Sequence, residues 1–220
     1  QEPDEGSIML DDLDVLKDKH ELRKVLGYLP QEFGVYPRIS AQDLLNHMAV
    51  LKGITNGSER KELVNALLER VNLYEQRKKA VSSFSGGMRQ RVSIARAFAI
   101  GPRLLYADEA FTALDELTAA RVRKDLLGLI RETGITTLFI THSVPEAVDI
   151  AQRILIFGRP GRVICEIDRD KERENGKSIA AIETMVRDGL QTAREAMIAE
   201  GTAEDMTAED AQKIKAGGES

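Results

Sequence analysis

Apolar residues along this chain of 220 residues fall into blocks whose period switches between two and about three and a half, which separates strands from helices. Positions 6–15 alternate in the manner of a short strand and turn, and Leu26-Gly27-Tyr28-Leu29 predicts a strand. Pro30, which has no amide to give to a ladder, halts it. Two helices are predicted over 40–52 and 58–73, opened by Ser40 and Ser58 as N-caps. In the second, Leu63, Val64, Leu67, Leu68 and Val71 share one face. Ser85 caps a third helix running to about 100, and 104–107 reads as a short buried strand that ends at two carboxylates.

The alternation then becomes regular. A helix over 118–131 is closed by Gly134, a strand covers 136–141, a helix 145–151 and a strand 154–157. Such β-α-β-α order predicts an α/β fold in which helices cover a parallel sheet, and the last of these strands is expected to join it. Ligands of such sheets gather at the carboxyl ends of the strands, where Asp108, Glu109 and His142 all fall. Beyond Asp168 a charged loop is predicted to 175, then a helix over 178–200 with an apolar stripe of Ile179, Ile182, Met185, Val186, Leu190 and Met197. From 201 the sequence Thr-Ala-Glu-Asp occurs twice, and this end reads as a disordered tail.

Composition narrows the class. A hydrophobic content of 42% supports a sizeable core, and no apolar run approaches the ~20 residues of a membrane-spanning helix. The net charge of -5 argues against a sequence-independent binder of nucleic acid, which needs clustered Lys and Arg. The single cysteine, Cys165, lies in an apolar stretch and reads as a small core residue. The chain opens on Gln1 with acidic and polar residues and no leader pattern, so the expectation is a missing N-terminal portion, with a processed secretory protein as the alternative.

Three places carry chemistry. Ser85-Gly86-Gly87-Met88 opens a helix that continues Arg89-Gln90-Arg91, so its free amides and positive dipole end suit a terminal phosphate. Asp108-Glu109 sets two carboxylates after a buried strand, an arrangement that makes sense when one binds a cation and the other handles a proton or water. His142 ends the next strand, where it would donate to a phosphate or orient that water.

Taken together and in this order, these motifs resemble those of ABC-type ATPases, over roughly residues 6–167. On that resemblance Gln31 is the Q-loop glutamine, Ser85 to Met88 the signature, Tyr106 to Glu109 the end of the Walker B strand, Ala113-Leu114-Asp115 the D-loop and His142 the switch histidine. The resemblance implies a P-loop NTPase-like sheet with an inserted helical subdomain at about 38–100, ATP and Mg²⁺ as cofactors, and hydrolysis of ATP. Glu109 and His142 would be catalytic, Asp108 and Gln31 would hold the metal, and Gln31, Ser85, Gly86, Gly87, Met88 and Asp115 would bind ATP. The expected partners are a second such subunit in a head-to-tail dimer and membrane-spanning subunits, with no nucleic acid, at the cytoplasmic face of the membrane. The chain divides into an ATPase part, 1–168, and a C-terminal loop, helix and tail, 169–220. Segment 27–72, including Phe33-Gly34-Val35-Tyr36-Pro37, is similar to multidrug-export ATPases, and segment 108–167 to nitrate, sulfonate and taurine importers.

The sequence departs from the family at defined places. No G-x-x-x-x-G-K-[ST] occurs, so the strand-loop-helix that cradles the β- and γ-phosphates is missing, and no aromatic candidate stacks on adenine. Gly176-Lys177-Ser178 imitates the end of such a loop, but Asp168, Asp170, Glu172 and Glu174 would repel phosphate there. Ala110 replaces the usual proline after the catalytic carboxylate, which is expected to loosen that turn. The reading is therefore an ATP-hydrolysing transporter subunit present as a fragment, inactive alone. The alternative is a shortened, inactive subunit that lends its signature to a complete one. A DNA-repair or translation ATPase is the weaker third reading, since long heptad insertions and basic arms are lacking.

Overall fold

A computed structural model describes residues 6–32, 34, 38–159 and 161–199. The tail from 201, most of the Phe33 to Pro37 segment and Pro160 lie outside the described residues. Contacts divide the chain into two compact units, Gln1–Thr141 and His142–Ser220.

The first unit opens with an antiparallel pair, β1 (Met9–Leu10) and β2 (Leu13–Asp14), and a helix α1 (Lys19–Val25). Helix α1 is absent from the expectations above because none of its residues is buried, so it has no apolar stripe to read. Strand β3 (Leu26–Leu29) follows, then α2 (Ala41–Leu51), α3 (Gly57–Arg70) and, after two single 3₁₀ turns, α4 (Gly86–Phe98). Ser40 caps α2 through the amide of Asp43, and Ser85 caps α4 through that of Met88. The cap of α3 is Asn56 and not Ser58: its carboxamide oxygen accepts from the amides of both Ser58 and Glu59, so the helix begins earlier. Leu44, Leu45, Val64, Leu68, Val71 and Leu73 are buried among these helices, each such leucine contributing about 1.5–3 kcal/mol of burial.

Strand β4 (Leu104–Asp108), helix α5 (Glu116–Thr133) and strand β5 (Thr136–Ile140) complete the unit. The strands form a parallel sheet in the order β3-β4-β5. Leu29, Leu105 and Ala107 line its buried face, and α4 packs against β3 and α5. Tyr28, Tyr106 and Leu138 stand in one register row on the other face, with the two tyrosine rings stacked at 5.6 Å. This face is open: Tyr28 is 46% exposed, Leu138 50% and Ile140 41%.

The second unit holds α6 (Val144–Ile150), β6 (Arg153–Gly158), β7 (Arg162–Asp168), α7 (Arg169–Glu174) and α8 (Ile179–Ala199). The expected fourth parallel strand is instead β6, paired antiparallel with β7, because a short turn at Gly161 returns the chain directly. The expected charged loop is the helix α7, capped by Asp168 through the amide of Lys171. Val148, Ile154, Ile156, Ile167, Ile182, Val186 and Ala193 form the core of this unit, with Cys165 packed at its margin. The stripe of α8 is only partly buried, since Ile179 and Leu190 remain exposed at 44% and 38%. Gly189 instead supplies the close contact, as a Cβ there would fall 2.4 Å from Ile156 Cδ1.

Candidate functional site

Parallel pairing puts the carboxyl ends of β3, β4 and β5 at one edge of the sheet, with Leu29 beside Ala107 and Asp108 beside Ile140. Gln31 leaves the end of β3 and Glu109 the end of β4, and their side chains meet: Gln31 Nε2 lies 3.5 Å from Glu109 Oε2. Thr112 Oγ1 donates to the same carboxylate oxygen at 3.4 Å. Thr112 carries no role in the sequence reading, although a hydroxyl three residues past a carboxylate is the signal for such a turn.

Glu109 has φ of 44°, the left-handed region that a side chain with Cβ enters at a cost of about 1–3 kcal/mol. Neighbouring groups hold it there. Its amide donates to Ile140 O at 2.9 Å, its carbonyl accepts from Thr112 N at 3.2 Å, and Phe111 O accepts from Leu114 N at 3.0 Å. Ala110, where the family usually has proline, is buried within this turn.

Asp108 closes β4, half-buried, beside Tyr106. Burial pushes the Tyr106 hydroxyl above its ordinary pKa, and the charge of Asp108 adds to the shift, so the phenol stays neutral. Among the described residues no group of three or more His, Cys, Asp or Glu side chains gathers to hold a metal alone. A carboxylate and an amide oxygen near the end of a strand fit Mg²⁺, which takes one or two protein oxygens and completes its shell with water and phosphate.

The Ser85-Gly86-Gly87-Met88 turn stands at the start of α4 against the segment leading into α5. A Cβ on Gly86 would come within 3.2 Å of Leu114 Cδ2, and one on Gly87 within 2.5 Å of Thr118 Cγ2. At Gly87 a Cβ would force Thr118 to shift, while at Gly86 Leu114 would have to give by only a few tenths of an ångström. Asp115 caps α5 through the amide of Thr118 at 3.0 Å, and hydrogen bonding to Thr118 holds its carboxyl below the usual carboxylate range. Further along, Arg91 of α4 pairs with Asp125 of α5 at 2.8 Å, and Asn72 donates to the same carboxylate at 3.4 Å.

The structure thus brings Gln31 to Glu109 and the glycine turn to the segment that carries Asp115. His142 begins the second unit, exposed, two residues beyond the end of β5. The look-alike at Gly176 to Ser178 is occupied otherwise: Lys177 pairs with Glu172 at 2.7 Å, and Ser178 Oγ accepts from the amide of Ala181.

The family model described as "ABC transporter" matches residues 1–112. The chain belongs to this family. It is 39% identical over 168 residues to the taurine import ATP-binding protein TauB of Sinorhizobium fredii, covering 76% of this chain and 61% of that protein. It is 31% identical to the lipopolysaccharide export ATP-binding protein LptB of Haemophilus influenzae, covering 73% of this chain and 67% of that protein. Among solved structures it resembles the dimeric ATP-binding cassette MJ0796 bound to ADP and Pi, at a TM-score of 0.65 and 29% identity, over 77% of this chain and 75% of that one. The chain is an ABC transporter nucleotide-binding domain with the α/β fold of the P-loop NTPases. It spans only about half to two thirds of the length of several of these relatives, from 46% of the Fe(3+) ions import protein FbpC of Pseudomonas fluorescens to 61% of TauB.

Proposed function

We propose that this chain is the larger part of the ATP-hydrolysing subunit of a transporter, in which Glu109 activates the attacking water and Gln31 links the site to the membrane-spanning partner. The meeting of Gln31 with Glu109 across 78 residues of sequence supports this reading above all. A carboxylate met by an amide and a hydroxyl, at the carboxyl end of a parallel sheet, would accept a proton from water in the transition state. Asp108 would contribute a carboxylate oxygen to Mg²⁺, which neutralises developing charge on the phosphates when bound. Ser85, Gly86, Gly87 and Met88 would offer hydroxyl and backbone amides to the terminal phosphate of a nucleotide held by a second subunit, in a head-to-tail dimer. Asp115, next to that turn, would face the same interface, and His142 would orient the water or the γ-phosphate.

The proposal concerns the motor and not its cargo, since the similar proteins are named for import of taurine and for export of lipopolysaccharide. No helix among the described residues is long and apolar enough to cross a membrane, which suits a subunit docked at the cytoplasmic face by its partners. No phosphate loop is present in the sequence, so the chain by itself should not bind Mg-ATP.

The test is Glu109→Gln in the intact subunit. Turnover should fall by about 10²-fold or more, the usual worth of a positioned general base, while ATP-dependent dimerisation persists. Unchanged hydrolysis would refute the assignment. Titration calorimetry of this 220-residue chain should show no heat of Mg-ATP binding; micromolar affinity would overturn the dependence on a missing cradle.

A further inference from the structure

A left-handed φ on a residue other than glycine persists only where the surrounding structure over-determines it. Hydrogen bonds account for part of the constraint on Glu109, and Phe111, two residues on, is 3% exposed. The Phe111 ring stacks on Phe139 of β5, with centroids 5.8 Å apart and planes at 23°. The guanidinium of Arg123, from the second turn of α5, lies over the same ring, 6.0 Å from its centroid. Arg123 is 7% exposed, and its Nη2 lies 3.4 Å from Glu116 Oε1. Burying a guanidinium is costly, and an aromatic face returns some of that cost by attraction to the cation.

We propose that Arg123 is a positioning residue for Glu109, holding the Phe111 ring against Phe139 so that the 109–112 turn keeps its left-handed start and its carboxylate stays where Gln31 and Thr112 meet it. The catalytic consequence rests on the reading of Glu109 given above; the mechanical link does not. The device is local, running along one turn and two rings within a single compact unit. Acting through the Phe111 ring, Arg123 should influence the chemical step and leave nucleotide affinity alone.

The experiment is a double-mutant cycle in the intact subunit. Arg123→Met keeps an unbranched stem and removes the cation. It should lower kcat about three- to thirtyfold, the range spanned by partly and fully desolvated cation–π contacts, with KM for ATP within about twofold of wild type. In the Phe111→Leu background the same change should alter kcat by less than about twofold, because the ring it acts through is gone. Equal losses in both backgrounds, or a KM change without a kcat change, overturn the proposal. Arg123→Lys should recover part of the rate, and no recovery counts against a role for the charge. Glu109→Gln, run alongside, separates the two ideas: if turnover survives it, the functional reading fails. The mechanical link is then read from hydrogen exchange in this 220-residue chain. There Arg123→Met should speed exchange of the Thr112 amide about threefold or more while interior α5 amides such as Leu129 keep theirs. An unchanged Thr112 amide, or equal acceleration at both, overturns the link.

Discussion

Replacing Gly87 with alanine sets two effects of opposite sign against each other in the first turn of α4. Alanine is favoured over glycine in a helix by up to ~1 kcal/mol. The added Cβ, however, would stand 2.5 Å from Thr118 Cγ2. Carbon atoms rest at about 3.5–4.0 Å, so roughly an ångström must be found. Threonine is stiff at χ1, and the amide of Thr118 is tied to Asp115 Oδ1 at 3.0 Å, so the methyl cannot turn aside freely. Overpacking of this kind costs about 1–3 kcal/mol, and the net change should be a loss of roughly 0–2 kcal/mol. Thr118→Ser removes the obstructing methyl and keeps the hydroxyl. The next neighbour of the new Cβ is then Val122 Cγ2 at 3.8 Å, an ordinary contact. In the Thr118→Ser background Gly87→Ala should therefore stabilise, by up to ~1 kcal/mol. Urea denaturation of the four proteins measures this as a shift in midpoint at constant slope. The same penalty for Gly87→Ala in both backgrounds would show that the glycine is not there to admit Thr118.

Three further outcomes follow from the coordinates. Gly134 closes α5 at φ 64° with open space where a Cβ would go, so Gly134→Ala should cost about 1 kcal/mol from backbone strain alone; a thermal midpoint equal to wild type would refute that. Asp115 has its carboxyl held low by Thr118, so the stability it lends is present above the unfolded pKa of about 3.9 and is lost as acid carries the folded group through its lower one. Asp115→Asn still caps the helix but does not titrate, so the gap in urea midpoint between wild type and variant should hold steady well above the unfolded pKa of about 3.9 and shrink as the pH falls through and below it, and a constant gap would count against the linkage. Finally, the exposed row on the sheet and the edge of β5, which pairs with no further strand among the described residues, should make the chain self-associate; Leu138→Lys should slow the rise in light scattering, and an unchanged rise would place the sticky surface elsewhere.

Much of this molecule was readable one residue at a time. The periods over 26–29, 41–51 and 136–140, the serine caps at 40 and 85 and the glycine stop at 134 all depend on groups within a turn of each other, and all appear where expected. Misreadings occurred where a local signal was weak or had a rival. Helix α1 buries nothing, Asn56 caps α3 two residues ahead of Ser58, and the charges after Asp168 formed a capped helix. Motif order pointed to Gln31 and Glu109 as members of one site, since a family resemblance carries that information in one dimension.

What tertiary structure alone decided is how distant segments share space. Strand order β3-β4-β5, the antiparallel return of β6 onto β7, the 3.5 Å approach of Gln31 to Glu109 and the ring stack beneath Arg123 each join residues that no periodicity relates. Such contacts form only once chain entropy has been overcome by burial of the whole core, so their geometry belongs to the assembled unit and not to any stretch of sequence within it.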